Sequence, residues 1–333
     1  MAFQLERMDG KNVLITGGLG FIGSNLAVHC ISLGANGTLF ERTASKMCNI
    51  SDIKDKVQIV NGDISNLQDV EKIISGKDII FHLAAQTSNI TSMENPFLDI
   101  SLNIIGTMNL LESCRKNNPS AKIVFTGTCT QVGKTKKLPF EESLKDDPID
   151  IYATNKLACE SYMKIYSEVY GMNTTTIRFG NIFGERQQLN STRFGITNYF
   201  IGRALKGEPI TVYGDGKFIR DYNYINNVTD ALILAAQNPK SKGEVFLIGS
   251  DKMYFIDMVK QLADAMKEKT EKEVKITYVE YPAHQKKIDA GDIEVDYGKI
   301  KRILGWEPQI NFTEGIKRTI NYYLKDDKYK EYL

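Results

Sequence analysis

The chain has 333 residues, 42% of them hydrophobic and 25% charged, a balance expected of a soluble globular protein with one large α/β unit or two smaller ones. A net charge of +1 offers no basic surface for nucleic acid or an anionic membrane, and no apolar run approaches the length of a membrane span. Five cysteines without a CxxC pair imply free thiols in a reducing cytoplasm, and the first nine residues lack the apolar core of a secretory signal.

The chain opens with a short apolar run, Val13-Leu14-Ile15-Thr16, that meets Gly17-Gly18-Leu19-Gly20-Phe21-Ile22-Gly23 and then a helical pattern ending at Gly34. Strand, tight turn and helix in that order make a dinucleotide fingerprint. Gly17, Gly20 and Gly23 let the backbone approach a pyrophosphate, and the helix start offers it free N–H groups. A second run, Thr38-Leu39-Phe40, ends at Glu41, an acidic side chain placed to accept from a ribose 2′-hydroxyl. Strand signals recur at 57–60, 78–83, 122–126 and 174–178. Helical signals lie between them at 66–74 (with Ser65 as its N-cap), 96–116 and 151–170, the last closed by Gly171. This alternation predicts a Rossmann-type, doubly wound parallel sheet, with ligands beyond the carboxyl ends of its strands.

Past residue 180 the rhythm changes. Residues 181–198 read as polar and irregular. A helix at 199–205, a strand at 209–213 and a Gly214-Asp215-Gly216 turn follow. Then come a helix at 226–237, a strand at 244–248 able to rejoin the main sheet, a helix at 255–267, a strand at 274–279 and a last helix at 313–324. The expected division is a cofactor domain from 10–180 plus about 223–250, and a smaller, discontinuous C-terminal substrate-binding lobe from about 181–222 plus 251–333.

Tyr152 and Lys156 stand four apart on a predicted helix, so they share one face. A nearby lysine and a positively charged nicotinamide would lower the phenol pKa and make Tyr152 a general base toward a sugar or alcohol hydroxyl. Lys156 can also hydrogen-bond the nicotinamide ribose. His29, His82 and His284 form no metal pattern, and His82 reads as a packed strand-end residue. The lone Trp306, in a Leu-Gly-Trp corner, is expected to pack the C-terminal lobe.

Together Thr16-Gly17-Gly18-Leu19-Gly20-Phe21-Ile22-Gly23, His82-Leu83-Ala84-Ala85-Gln86 and Tyr152-Ala153-Thr154-Asn155-Lys156 resemble the extended short-chain dehydrogenase/reductase family, in particular its nucleotide-sugar epimerases and dehydratases. Arg178-Phe179-Gly180-Asn181, Tyr213-Gly214-Asp215-Gly216 with Arg220-Asp221-Tyr222, and Leu304-Gly305-Trp306 extend the likeness over about 11–325. The resemblance implies Thr128 as the hydroxyl that bonds the reacting sugar hydroxyl. It implies Asp63 and Ile64 beside the adenine and Leu83, Ala84 and Ala85 close to the cofactor. Arg42 could stack on adenine or meet a 2′-phosphate, which Glu41 would repel, so NAD is favoured over NADP. Toward the substrate the resemblance implies Asn181 on a phosphate or the sugar, Arg220 on the diphosphate, Tyr213 at the base and Asp292 near the nucleotide ribose. Gln86, Ser92 and Arg193 are further candidates for reading the sugar. The family's usual pairing implies a homodimer through the helices at 96–116 and 151–170.

The segment after Thr128 departs from the pattern. The 4,6-dehydratases follow the catalytic Thr with Asp-Glu, whereas this chain has Cys129 and Thr130, and Gln131-Val132-Gly133 replaces the common Val-Tyr-Gly. Cys129, a candidate substrate-binding residue, reads either as a buried thiol next to a strand end or as an unusual acid or base. The leading expectation is an NAD-dependent nucleotide-sugar 4-epimerase. Its alternatives are a dehydratase or 4-dehydrogenase using Cys129, or a non-catalytic NAD-binding sensor or scaffold.

Overall fold

The computed structural model describes residues 3–43, 46–280, 289 and 291–333; His284 lies outside them. In chain order the strands are β1 Asn12–Thr16, β2 Asn36–Glu41, β3 Val57–Asn61, β4 Ile79–His82, β5 Lys122–Thr128, β6 Asn173–Phe179, β7 Asn181–Phe183, β8 Ile210–Tyr213, β9 Ile219–Tyr224, β10 Val245–Ile248, β11 Asp251–Tyr254 and β12 Ile276–Val279. The helices are α1 Phe21–Ser32, α2 Leu67–Ile74, α3 Asn89–Glu94, α4 Pro96–Asp99, α5 Gly106–Asn117, α6 Ile151–Tyr170, α7 Ile196–Leu205, α8 Ile225–Gln237, α9 Phe255–Thr270, α10 Gly298–Leu304 and α11 Phe312–Leu324.

Seven strands pair in parallel in the order β10-β6-β5-β4-β1-β2-β3. Their apolar character follows from burial on both faces. One face packs α1 and α8 through Leu26, Val228 and Leu232, and the other packs α2, α5 and α6 through Val70, Leu110 and Met163. This is the doubly wound fold. The strand order reverses between β1 and β4, and at that switch the glycine turn after β1 meets the Ala84-Ala85 loop after β4. β10 does rejoin the main sheet beside β6.

Two small sheets, β11-β9-β7 and β12-β8, with α7, α9 and α11, enclose a separate aromatic core containing Phe183, Phe200, Phe255 and Phe312. Residues 181–183, read as irregular, form β7 and pair in parallel with β9. Such a short strand, opened by an asparagine, has no period to detect.

Other local expectations also shift. The N-cap of α2 is Asn66, whose side chain accepts from the N–H groups of Gln68 and Asp69. Ser65 instead donates its hydroxyl to Asp63 at 2.7 Å. The helix expected over 96–116 is interrupted: α4 passes into a π-helical stretch, Ile100–Ile105, before α5 begins. Asn103 in that stretch bonds the Gln86 backbone and Asp99, an arrangement fixed by partners distant in sequence. Trp306 packs not in the small lobe but in the core under the main sheet, donating its indole N–H to the Asn227 carbonyl at 3.1 Å.

Candidate active site

The glycine turn is dictated by space. Gly17 has φ +71°, and a Cβ there would lie 3.0 Å from the Ala84 nitrogen. At Gly23 a Cβ would lie 2.2 Å from the Gly17 carbonyl oxygen. Gly20 caps α1 with extended backbone and no side-chain cap, leaving the first N–H groups of the helix to an incoming anion. Beyond this turn lies a cavity of about 840 Å³. All the residues assigned above to the cofactor line it, from Gly17, Gly20, Phe21, Ile22 and Gly23 through Glu41, Arg42, Asp63 and Ile64 to Leu83, Ala84, Ala85, Tyr152 and Lys156. Glu41 accepts from the N–H groups of Leu19 at 3.3 Å and Arg42 at 3.1 Å, so its carboxylate sits at the turn. The Arg42 guanidinium leans toward Asp63 at 3.9 Å across this end of the cavity. A long cleft starting at an uncapped helix N-terminus and passing a carboxylate fits a dinucleotide.

At the inner end stand Tyr152 and Lys156, one turn apart on α6. Asp150 caps that helix by accepting from the Ala153 N–H at 2.7 Å. Ser92, expected to read the sugar, is fully buried and accepts from the Tyr152 N–H at 3.1 Å, so it fixes the start of α6 instead. The Lys156 ammonium lies 4.3 Å from the Phe125 ring centre, and burial lowers its pKa to about 8. The protein groups around Tyr152 act upward on its phenol: burial first, then Asp150, Asp99 and Cys129, push the pKa up, so the expected lowering has to come from Lys156 and the nicotinamide charge against that burial. His82 is the packed residue expected. It bridges Thr16 Oγ1 at 2.9 Å and Thr107 Oγ1 at 3.1 Å, and burial drops its pKa to about 3, which keeps it neutral.

A smaller cavity of about 330 Å³ adjoins the first, sharing Thr87, Tyr152, Phe179, Gly180 and Asn181. Thr128, Cys129, Thr130, Arg220 and Asp289 also line it. Thr128 Oγ1 lies 2.9 Å from Thr130 Oγ1 at the carboxyl end of β5. Arg220 Nη2 donates to both carboxylate oxygens of Asp289 at 3.0 and 3.3 Å, Nη1 donates to the carbonyls of Ile219 and Gly291, and the guanidinium stacks 4.5 Å over Phe218.

Several substrate candidates are placed elsewhere. Tyr213 is about one-third exposed and lines neither cavity. Asp292 Oδ1 accepts from the Ile219 N–H at 2.8 Å. Gln86 borders the large cavity, but its amide is bound to Asp99 at 2.6 Å and to the Ser88 carbonyl. Arg193 reaches the large cavity while paired with Glu94 at 3.1 Å, bridging the 191–195 loop to α3.

A family model described as GDP-mannose 4,6 dehydratase matches residues 14–319, nearly the whole chain. The chain belongs to this family. It includes the extended short-chain, NAD-dependent nucleotide-sugar epimerases and dehydratases. A putative UDP-glucose 4-epimerase of Methanocaldococcus jannaschii is 32% identical over 95% of this chain and 99% of its own length. The UDP-glucose 4-epimerase of Thermotoga maritima, solved with UDP-glucose, superposes with a TM-score of 0.86 at 31% identity, covering 95% of this chain and 99% of that one. The UDP-glucose 4-epimerase of Thermus thermophilus, solved as a complex with NAD, has a TM-score of 0.83 at 28% identity over 94% and 99% of the two chains.

Within the family, this chain's departures can now be placed. Cys129 is fully buried among Val132, Phe140, Leu247, Ile293 and Val295, and burial, with Asp221 nearby, pushes its pKa up to about 12. Burial among these apolar side chains favours the protonated thiol. Sequence reasoning missed Asp289, which lies far along the chain from its partner Arg220 with no motif around it. It also missed Glu160, which was detectable: it follows Lys156 by one further turn on the face that carries Tyr152.

Proposed function

We propose that the protein is an NAD-dependent nucleotide-sugar 4-epimerase. The reading rests above all on one observation: Tyr152, Lys156 and Asn181 stand at or beside the junction of a dinucleotide-shaped cleft and a smaller cavity that holds Thr128 and Arg220. In this reading the glycine turn and the start of α1 hold the cofactor pyrophosphate, and Glu41 accepts from the adenosine ribose, which favours NAD over NADP. NAD, when bound, supplies a hydride acceptor for the sugar C4 carbon and returns the hydride to the other face.

The chain's own residues manage the proton and the orientation. Tyr152 takes the C4 hydroxyl proton, Thr128 bonds the same hydroxyl, and Lys156 provides the cationic neighbour that favours the phenolate. Arg220 is the donor for the diphosphate. Asn181 borders both cavities and contacts the sugar or its phosphate. The 4-keto sugar must turn over between the two hydride steps. The buried Cys129 and the neutral Thr130 supply no acid–base pair for loss of water across C5 and C6, which favours epimerisation over 4,6-dehydration. The presence of Thr128, Tyr152 and Lys156 together argues against a pure sensor, which would not require all three.

A homodimer fits the exposed apolar side chains on and around the two helices expected to pair. Phe97 is 81% exposed and Val169 67%, with Ile105 and Ile165 also exposed. A cytoplasmic setting fits the five free cysteines, four of them buried.

The deciding experiment incubates the protein with UDP-, GDP-, CDP- and dTDP-sugars in deuterated water and follows the sugar by NMR. The expected result is inversion at C4 with no deuterium at C5. Deuterium at C5 or a lost hydroxyl would replace epimerisation by dehydration. Bound NAD with no conversion of any sugar would favour the sensor.

A further inference from the structure

Gln131 occupies a departure from the family pattern, and none of the site residues above explains it. It is fully buried one turn beyond Thr128. Its Oε1 accepts from the Thr128 backbone N–H at 3.0 Å, while Thr128 Oγ1 accepts from the Thr130 N–H at 3.3 Å, so the two side chains cap the turn reciprocally. Its Nε2 donates to Glu160 Oε2 at 3.4 Å.

Behind it the contacts run on. Glu160 accepts from Arg178 Nε at 2.7 Å and from its Nη2, and Arg178 forks onto Asp146 with both N–O distances at 2.8 Å. Glu160 stands on α6 one turn past Lys156 and two past Tyr152, Arg178 on β6, and Asp146 on the loop that leads into α6. Gly127 makes room for this: a Cβ there would lie 3.0 Å from both Gln131 Oε1 and Arg178 Cγ.

We propose that Gln131 is a positioning residue that locks Thr128 to the helix carrying Tyr152 and Lys156, so that hydroxyl and phenol converge on one substrate atom. The inference rests on the reading of Thr128 and Tyr152 given above. The amide is suited to the task because its two ends differ. The acceptor must face an N–H and the donor must face a carboxylate, so only one orientation satisfies both. A hydrocarbon at 131 leaves the Thr128 N–H and Glu160 each short of a buried partner. A carboxylate at 131 keeps the acceptor but sets a negative charge against Glu160.

The test measures reduction of bound NAD by a nucleotide sugar in a single turnover, the step common to epimerisation, dehydration and 4-oxidation. A wrong product would therefore sink the 4-epimerase reading and leave this test standing, whereas no oxidation by the unaltered protein would overturn both. Gln131→Leu is expected to slow oxidation about tenfold or more, with KM within about twofold, unchanged NAD content and faster amide exchange at Thr128. Thr128→Val should also slow it, and the double variant should be no slower than Thr128→Val alone by more than about twofold, since both act through one hydroxyl.

Gln131→Glu provides a second, isosteric variant. Its rate relative to the unaltered protein should recover as pH falls from about 8 to about 6, because protonation restores a donor toward Glu160. Wild-type oxidation by Gln131→Leu, multiplicative losses in the double variant, or a flat pH ratio for Gln131→Glu would each overturn the proposal.

Discussion

The two cavities are built in different ways. The larger one is shaped mainly by backbone and small residues close to the carboxyl ends of β1, β2 and β4, with Gly17, Gly23, Ala84 and Ala85 setting its walls. The smaller one is shaped by side chains brought together from distant segments, and its cation, Arg220, is already engaged by Asp289. A wall of main chain has no freedom to adjust, so substitutions there act through sterics. A wall of paired charges can exchange one partner for another, so substitutions there act through competition.

That contrast can be broken or sharpened experimentally. The largest effect belongs to the junction: Tyr152→Phe should cut turnover about a thousandfold while NAD stays bound, measured by sugar NMR and by cofactor content after gel filtration. Next comes the rigid wall. Gly23→Ala forces a Cβ to within 2.2 Å of the Gly17 carbonyl, so the variant should lose bound NAD and several degrees of Tm, read by cofactor content and thermal unfolding. If Gly23→Ala keeps both, the turn is not the cofactor wall proposed here.

On the exchangeable wall, Arg220→Ala should raise KM about ten- to a hundredfold with a smaller change in kcat, in keeping with the loss of charge-assisted hydrogen bonds. Asp289→Asn should move the other way and tighten UDP-sugar binding a few-fold by calorimetry, because a phosphate no longer competes with a carboxylate for the guanidinium. Weaker binding by Asp289→Asn would mean that Asp289 orients Arg220 rather than competing with its ligand.

A separate effect, on stability and not on turnover, lies at the opposite end of β5 from Thr128. Lys122 is buried and donates to Asn173 at 2.9 Å, Thr175 at 2.5 Å and Ser241 at 2.7 Å, with burial lowering its pKa to about 7. The unfolded chain therefore holds this proton up to about pH 10.5 while the folded one releases it from about pH 7. Stability from this group rises with pH across that window and is lost as pH falls back through it. Urea midpoints at the two ends should show that slope in the unaltered protein and a flatter one in Lys122→Met.

Much of the large cavity was legible because its residues are neighbours in sequence. Thr16 to Gly23, Glu41 and the Leu83-Ala84-Ala85 run each follow a strand, and the parallel sheet aligns strand ends. The pairing of Tyr152 with Lys156 needed only the helical repeat. The surroundings of Ser92, Asp292 and Tyr213 were not legible for the opposite reason: a lone polar or aromatic side chain gives no sign of whether it faces a cavity or a backbone N–H. The upward push on the Tyr152 phenol was not legible, because its burial and the carboxylates of Asp99 and Asp150 depend on how α4 and α6 pack.

The sequence by itself determined the doubly wound sheet, the glycine turn and the helix face that carries Tyr152 and Lys156, because short-range periodicity and glycine sterics are properties of local chain. Tertiary contacts alone decide that Asp289 meets Arg220, that Gln131 and Glu160 tie Thr128 to α6, and that Cys129 is buried at the wall of the smaller cavity. Each of these is a contact between segments far apart in the chain, and its energy depends on burial that no local stretch can specify.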